Sequence, residues 1–238
     1  MIFSKTSHFT LFLVIFLHVG ILYGQRQGIQ NLHDFDKKRI RFGFILGFNE
    51  MDFSIKRNND IVLYDSLMSV TTKPQFGFHI GIISDLKLAE HLNLRFIPSL
   101  SFGDRIIEYN ILEKTSNIEK YTRKIESTFI EFPLLLKFKS VRLTNTRAYL
   151  IGGGKYSIDL ASLILKRAIK DDVIKLYRND YSFELGVGFD FYLSYFKFGA
   201  EIKMAYGIRD MLKRENTIYT NSIDYLKSKI FYLTFTFE

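Results

Sequence analysis

From residue 40 onward the chain alternates apolar and polar side chains with period two, in eight separate stretches. Successive side chains of a strand point to opposite faces, so each stretch reads as a strand that is apolar on one side and polar on the other. The first sets Phe42, Phe44, Leu46 and Phe48 against Arg41, Gly43, Gly47 and Asn49. The second sets Phe76, Phe78, Ile80 and Ile82 against Gly77, His79 and Gly81. In the third, Leu92, Leu94, Phe96, Leu100 and Phe102 oppose Asn93, Arg95, Ser99 and Ser101, with a bulge or bend expected at Pro98. The fourth places Ile130, Phe132, Leu134, Leu136 and Phe138 against Glu131, Pro133 and Lys137.

A fifth strand lies around Ala148 to Tyr156, where Gly152, Gly153 and Gly154 blur the faces and leave its register open. The sixth runs from Tyr181 to Phe191 with Glu184, Gly186, Gly188 and Asp190 on its polar side. Lys197, Gly199, Glu201 and Lys203 oppose Phe198, Ala200, Ile202 and Met204 in the seventh. Phe231, Leu233, Phe235 and Phe237 oppose Thr234 and Thr236 in the eighth. The expected fold is all-β: a single closed antiparallel barrel of about eight strands. The gaps after the first, third, fifth and seventh strands are roughly 20 to 25 residues and the others roughly 3 to 8, the loop asymmetry of a transmembrane barrel with long extracellular loops and short periplasmic turns. Both termini would then be periplasmic.

Alternation alone does not say which face looks outward. A lipocalin-like barrel would hold the Phe-rich face inside, around an apolar ligand, whereas a membrane barrel would turn it to lipid. The alternating loop lengths, the density of aromatic and aliphatic residues on one face and the kind of residues opposite them favour lipid. Arg41, His79, Arg95, Glu131, Lys137, Glu184, Asp190, Lys197, Glu201 and Lys203 recur among glycines, which in a narrow interior make room for long side chains whose opposite charges pair. These ten are the expected structural charge network of a filled lumen.

What precedes the strands places the chain outside the cytoplasm. Lys5 is followed by an apolar run from Phe9 to Leu22 and then by Gly24. This is the layout of a signal peptide cut after residue 24, and the run is shorter than the ~20 apolar residues of a spanning helix. Residues 25–39, polar and without periodicity, form a periplasmic leader to a barrel spanning residues 40–238. The chain has no Cys, which excludes disulfides, lipidation at an N-terminal Cys and Cys-based zinc sites. A net charge of +8 favours anionic neighbours, and with export the expected ones are outer-membrane lipid and lipopolysaccharide rather than nucleic acid. Lys56, Arg57, Lys73, Lys120, Arg123, Lys124, Lys166, Arg167, Lys170, Lys213 and Arg214 would lie in the outer loops.

No stretch carries the residues of a catalytic, cofactor or metal site. Gly152 to Lys155 is similar to the end of a phosphate loop but lacks its first glycine and has Tyr156 where Ser or Thr is required. Gly186 and Gly188 begin a dinucleotide-like spacing that Phe191 ends. Beyond the signal only His33, His79 and His91 remain, none at ligand spacing. A non-enzymatic role without cofactors follows.

The stretch "FIEFPLLLKF", Phe129 to Phe138, resembles a strand of the Bacteroidetes outer-membrane β-barrel superfamily. "NLHDFDKKRIRFGFILGFNEMDF", Asn31 to Phe53, resembles the start of the PorT/SprT family of type IX secretion and gliding motility. "GGGKYSIDLAS", "ELGVGFDFYLSYFKF" and "EIKMAYGI", from Gly152, Glu184 and Glu201, agree with that family, while the final Glu238 departs from the closing aromatic usual in barrels. The resemblance implies a Gram-negative outer-membrane component needed for export of proteins with a C-terminal sorting signal, working with other type IX components. The alternative is a general outer-membrane structural or porin-like barrel without a secretion role.

Overall fold

In the computed structural model, residues 29–57, 67–112, 118–160, 176–214, 220 and 222–238 are described. The signal-peptide region lies outside them, as do Lys166, Arg167 and Lys170. The chain falls into two units, Met1–Gln30 and Asn31–Glu238, and the second is the barrel. A short 3-10 turn at Phe35–Lys37 precedes ten strand segments: β1 (Ile40–Arg57), β2 (Leu67–Lys73), β3 (Gln75–Lys87), β4 (Leu92–Phe96), β5 (Ser99–Leu112), β6 (Ile118–Lys139), β7 (Thr146–Asp159), β8 (Asn179–Tyr192), β9 (Lys197–Gly207) and β10 (Ile223–Phe237).

Ten segments make eight staves, because two prolines interrupt ladders they cannot donate to. Pro74 separates β2 from β3, and Pro98 separates β4 from β5. Each broken stave still pairs on both sides of the break: β3 runs antiparallel to β4 and then to β5, and β6 does the same. β1 pairs with β10 from Phe44↔Phe237 upward and with β3 from Ile40↔Leu86 to Met51↔Gln75, which closes the ring. The fifth stave, left open by its glycines, is fixed by Gly153↔Leu135 and Gly153↔Glu184. Tyr149, Ile151, Lys155 and Ser157 on that stave are buried, while Leu150 lies on the exposed face.

The outer wall carries the apolar face. Phe42, Phe44, Leu46, Phe48, Phe78, Ile80, Ile82, Leu134, Leu136, Phe138, Phe183, Leu185 and Phe189 are all exposed. On β8 the exposed run from Tyr181 to Phe191 covers ten steps, or ~33 Å at ~3.3 Å per residue. At the tilt usual in small barrels this gives a band ~25 Å tall, the height of a hydrocarbon layer. A continuous apolar wall of that size is a lipid surface, since a monomer in water rarely exposes more than a few hundred Å² of it.

The strands do not stop where the apolar band stops, so two of the four expected long gaps are largely strand, while the connections 160–178 and 208–222 remain long. β1 continues to Arg57, and β2 begins again at Leu67. β5 ends at Leu112 and β6 starts at Ile118, a connection as short as those spanning 88–91, 140–145 and 193–196. Above the band the polarity of the alternation inverts. On β1, Glu50, Asp52, Ser54 and Lys56 take the outward positions, while Met51 and Phe53 are buried inside. A strand leaving lipid for water needs a polar exterior, and its interior is free to become apolar.

Most of the basic residues assigned to outer loops therefore stand on strands: Lys56 and Arg57 on β1, Lys73 on β2, and Lys120, Arg123 and Lys124 on β6. Three of them are paired across neighbouring strands, Lys56 with Asp224 at 3.0 Å, Lys73 with Glu108 at 3.0 Å and Lys124 with Asp104 at 2.9 Å. Lys213 and Arg214 lie in the connection between β9 and β10.

Candidate functional site

The interior is packed in layers. Nearest the short turns, the Arg95 guanidinium is fully buried and donates to three carboxylates: Asp85 at 2.9 Å, Glu201 at 3.2 Å and Glu238 at 2.6 Å. Arg41 donates to Asp85 at 2.6 Å, Lys197 to Glu238 at 2.8 Å, and Lys137 to both oxygens of Asp190 at 2.9 and 2.8 Å. Four cations thus face four carboxylates. The Lys137 ammonium also sits 3.5 Å from the centre of the Tyr149 ring, which fits only because residue 188 is glycine. A Cβ there would lie 2.5 Å from the Tyr149 ring.

An apolar layer of Ile45, Ile83, Ile97, Leu135, Tyr149 and Ile151 covers this network. Above it Lys155 bridges Glu131 at 2.9 Å and Glu184 at 3.2 Å and donates to the Tyr232 hydroxyl at 2.7 Å, which in turn donates to Glu131 at 2.6 Å. Lys203 stands 3.9 Å from Glu184. His79 shares a 2.9 Å hydrogen bond with the Thr234 hydroxyl and packs edge-on to Tyr232. Higher still, Arg105 lies between the rings of Phe53 and Phe129, at 4.3 and 5.0 Å, and donates to Ser127 and Ser228 at 2.7 and 3.2 Å. The upper mouth is closed by Phe53, Val70, Ile107, Tyr109, Ile125, Ile223 and Leu226, with Leu212 folded in from the β9–β10 connection.

All ten residues singled out from the sequence point inward and are buried. They fall into two groups: Arg41, Arg95, Lys137, Asp190, Lys197 and Glu201 below, and His79, Glu131, Glu184 and Lys203 above. Among the charged members that sequence reasoning missed are Asp85, Arg105, Lys155, Asp159 and Glu238. Asp85 and Arg105 follow the end of the apolar runs, Lys155 sits beside the glycines that blur the register, and Glu238 stands where a closing aromatic is usual. Period-two counting continued past the apolar runs would have found all five.

The opposite mouth is closed by the stretch read as a leader. Asn31 donates its backbone N–H to the Asn145 side chain at 2.8 Å and its amide to the Tyr192 carbonyl at 3.0 Å. Asp36 accepts a two-pronged contact from Arg147 at 3.0 and 3.1 Å and a hydrogen bond from Tyr192 at 3.3 Å. Phe35 packs edge-on against Tyr192, beneath the Lys197 ammonium at 4.7 Å and the Arg41 guanidinium at 5.3 Å. Burial raises the Asp36 pKa, but Arg147, Lys139 and Arg41 outweigh it and hold the carboxyl below its ordinary value. Among the described residues no cluster of three or more His, Asp or Glu side chains could hold a metal ion.

A barrel with an apolar wall, an inverted exterior above it and a charged filled lumen is matched, over residues 23–213, by the family model described as outer membrane protein beta-barrel domain. The chain belongs to this family. No curated protein sequence matches this outer-membrane barrel. Neisserial surface protein A is similar to it at 9% identity, covering 84% of this chain and 98% of that one with a TM-score of 0.43. OprG from Pseudomonas aeruginosa is similar at 14% identity, covering 83% and 93% with a TM-score of 0.39. AlkL in DMPC bilayers is similar at 9% identity, covering 90% and 93% with a TM-score of 0.42. At these identities and scores the likenesses say nothing of what the outer-membrane barrel does.

Proposed function

We propose that this outer-membrane barrel is a non-enzymatic component of the type IX protein secretion and gliding machinery, needed for export of proteins with a C-terminal sorting signal. The observation that carries the non-pore part is the lumen: three charged layers, apolar residues between them and both mouths covered. A barrel so filled acts through its surfaces. The assignment to type IX export is supported by the resemblance of Asn31–Phe53 to the PorT/SprT start. The residues of that stretch include Asn31, Phe35 and Asp36, which close one mouth.

In this reading the short turns and the Asn31–Lys37 segment face the periplasm, and the strand extensions face outside, against lipopolysaccharide. Partner components would dock on either end. Deleting the gene should leave cargo precursors, with their sorting signals uncleaved, in the periplasm, and restoring the gene should clear them. Normal cargo secretion in the deletion strain would overturn the type IX role and leave a general structural barrel, which the family match accommodates equally.

A further inference from the structure

Beside the segment that closes the periplasmic mouth lies a groove of about 770 Å³, lined by His33, Asp36, Lys37, Arg39, Lys87, Leu88, Ala89, Glu90 and Arg147. Its charges are unequally spent. The Asp36 carboxylate is held by Arg147, and Lys37 pairs at 2.8 Å with Asp34, both exposed. Lys87 donates at 2.8 Å to the backbone carbonyl of Asp36 rather than to a carboxylate. No ion pair engages the Arg39 guanidinium among the described residues. Glu90 is the one other acidic side chain lining the groove. The groove thus presents at least two cationic groups that no carboxylate neutralises.

The groove also runs directly onto the apolar wall. Leu88 belongs to its lining and is half exposed, and Ile40, next in the chain after Arg39, starts the exposed apolar row that Phe42 continues. Ile82 is exposed on the neighbouring strand, which pairs with β1 at Phe44. A cationic pocket at the water boundary with a hydrocarbon surface leading away from it has the two chemistries of a phospholipid in the right order.

We propose that this groove holds the phosphate headgroup of an anionic phospholipid, gripped by Arg39 and Lys87, with its acyl chains on Ile40, Phe42 and Ile82. The proposal rests on the membrane reading above and adds a specific lipid site at the periplasmic rim. Each basic side chain at such a surface contributes ~1 kcal/mol, so losing one weakens retention roughly fivefold and losing both about 25-fold.

The test is native mass spectrometry of the full barrel extracted from vesicles of phosphatidylglycerol and phosphatidylcholine. The wild type should retain phosphatidylglycerol preferentially, Arg39→Gln should lose about fivefold of that preference, and Arg39→Gln with Lys87→Gln about 25-fold. Lys227→Gln, on β10 far from the groove, should change nothing. Equal retention of the two lipids by an inserted wild type, or an equal loss in Lys227→Gln, would overturn the site while leaving the membrane reading intact. Displacement of the lipid by millimolar inorganic phosphate would overturn it in favour of a free-anion site. Failure to insert into either vesicle would overturn the membrane reading and this one with it. The single Arg39→Gln variant keeps the test decisive if the double variant does not fold, because among the described residues no ion pair or side-chain hydrogen bond of Arg39 holds the mouth closed.

Discussion

Arg95→Met tests the packed interior at its most demanding point. The guanidinium serves Asp85, Glu201 and Glu238, but the three lose unequally when it is removed. Asp85 keeps Arg41 at 2.6 Å and Glu238 keeps Lys197 at 2.8 Å. Among the described residues Glu201 has no other cation, and its second oxygen has no hydrogen-bond partner. The substitution therefore strands one fully buried carboxylate, and stranding one member of a buried ion pair costs ~3–5 kcal/mol. Glu201→Gln in the Arg95→Met background should recover most of that loss, because the uncompensated charge goes with it. The assay is equilibrium unfolding in vesicles by urea or guanidinium, followed by far-UV circular dichroism, since the chain has no Trp to report by fluorescence. A loss below ~1 kcal/mol, or no recovery in the double variant, would mean that Glu201 is hydrated, and the dry layered interior would be wrong.

Three further outcomes follow from the same geometry. Gly188→Val should destabilise by ~1–3 kcal/mol, as overpacking does, and pairing it with Tyr149→Ala should restore part of the loss, measured by the same unfolding curves. Phe44→Arg, in the middle of the apolar band, should cost ~2–4 kcal/mol in vesicles, whereas Asp52→Arg on the same strand above the band should cost ~0–1 kcal/mol; equal costs would contradict the inverted polarity. Asp36→Asn should speed hydrogen exchange of the Asn31–Lys37 amides. Because the folded Asp36 carboxyl lies below its ordinary value of 3.8, its contribution is fully present above that pH and is lost as pH falls through the lower folded value. Exchange protection of that segment should hold from neutrality to about pH 4 and weaken below it, and protection unchanged down to pH 2 would contradict the Asp36 clamp.

The barrel was legible in the sequence because a lipid-facing wall leaves a local signal. Phe42, Phe44, Leu46 and Phe48 announce a strand without reference to any other part of the chain. The extensions were not legible as strands, since their outward residues, such as Asp52 and Lys56, are those a loop would carry, and apolar positions like Phe53 had moved inside. The ten interior residues followed from parity alone. Their partners did not: Arg95 meets Glu201 and Glu238 only because the ring closes, which brings together staves far apart in the chain. The closing segment was least legible of all. Nothing near Phe35 and Asp36 marks them as packed, because the groups that hold them, Arg147 and Tyr192, come from β7 and β8.

The central claim, a filled barrel that works by contact rather than by conduction, is tested most directly by single-channel recording of the purified full-length protein in planar bilayers. Charged layers at Arg95, Lys155 and Arg105, with both mouths covered, predict insertion without a steady open conductance. A stable ion-conducting state in the wild-type barrel, seen without voltage-driven unfolding, would contradict it.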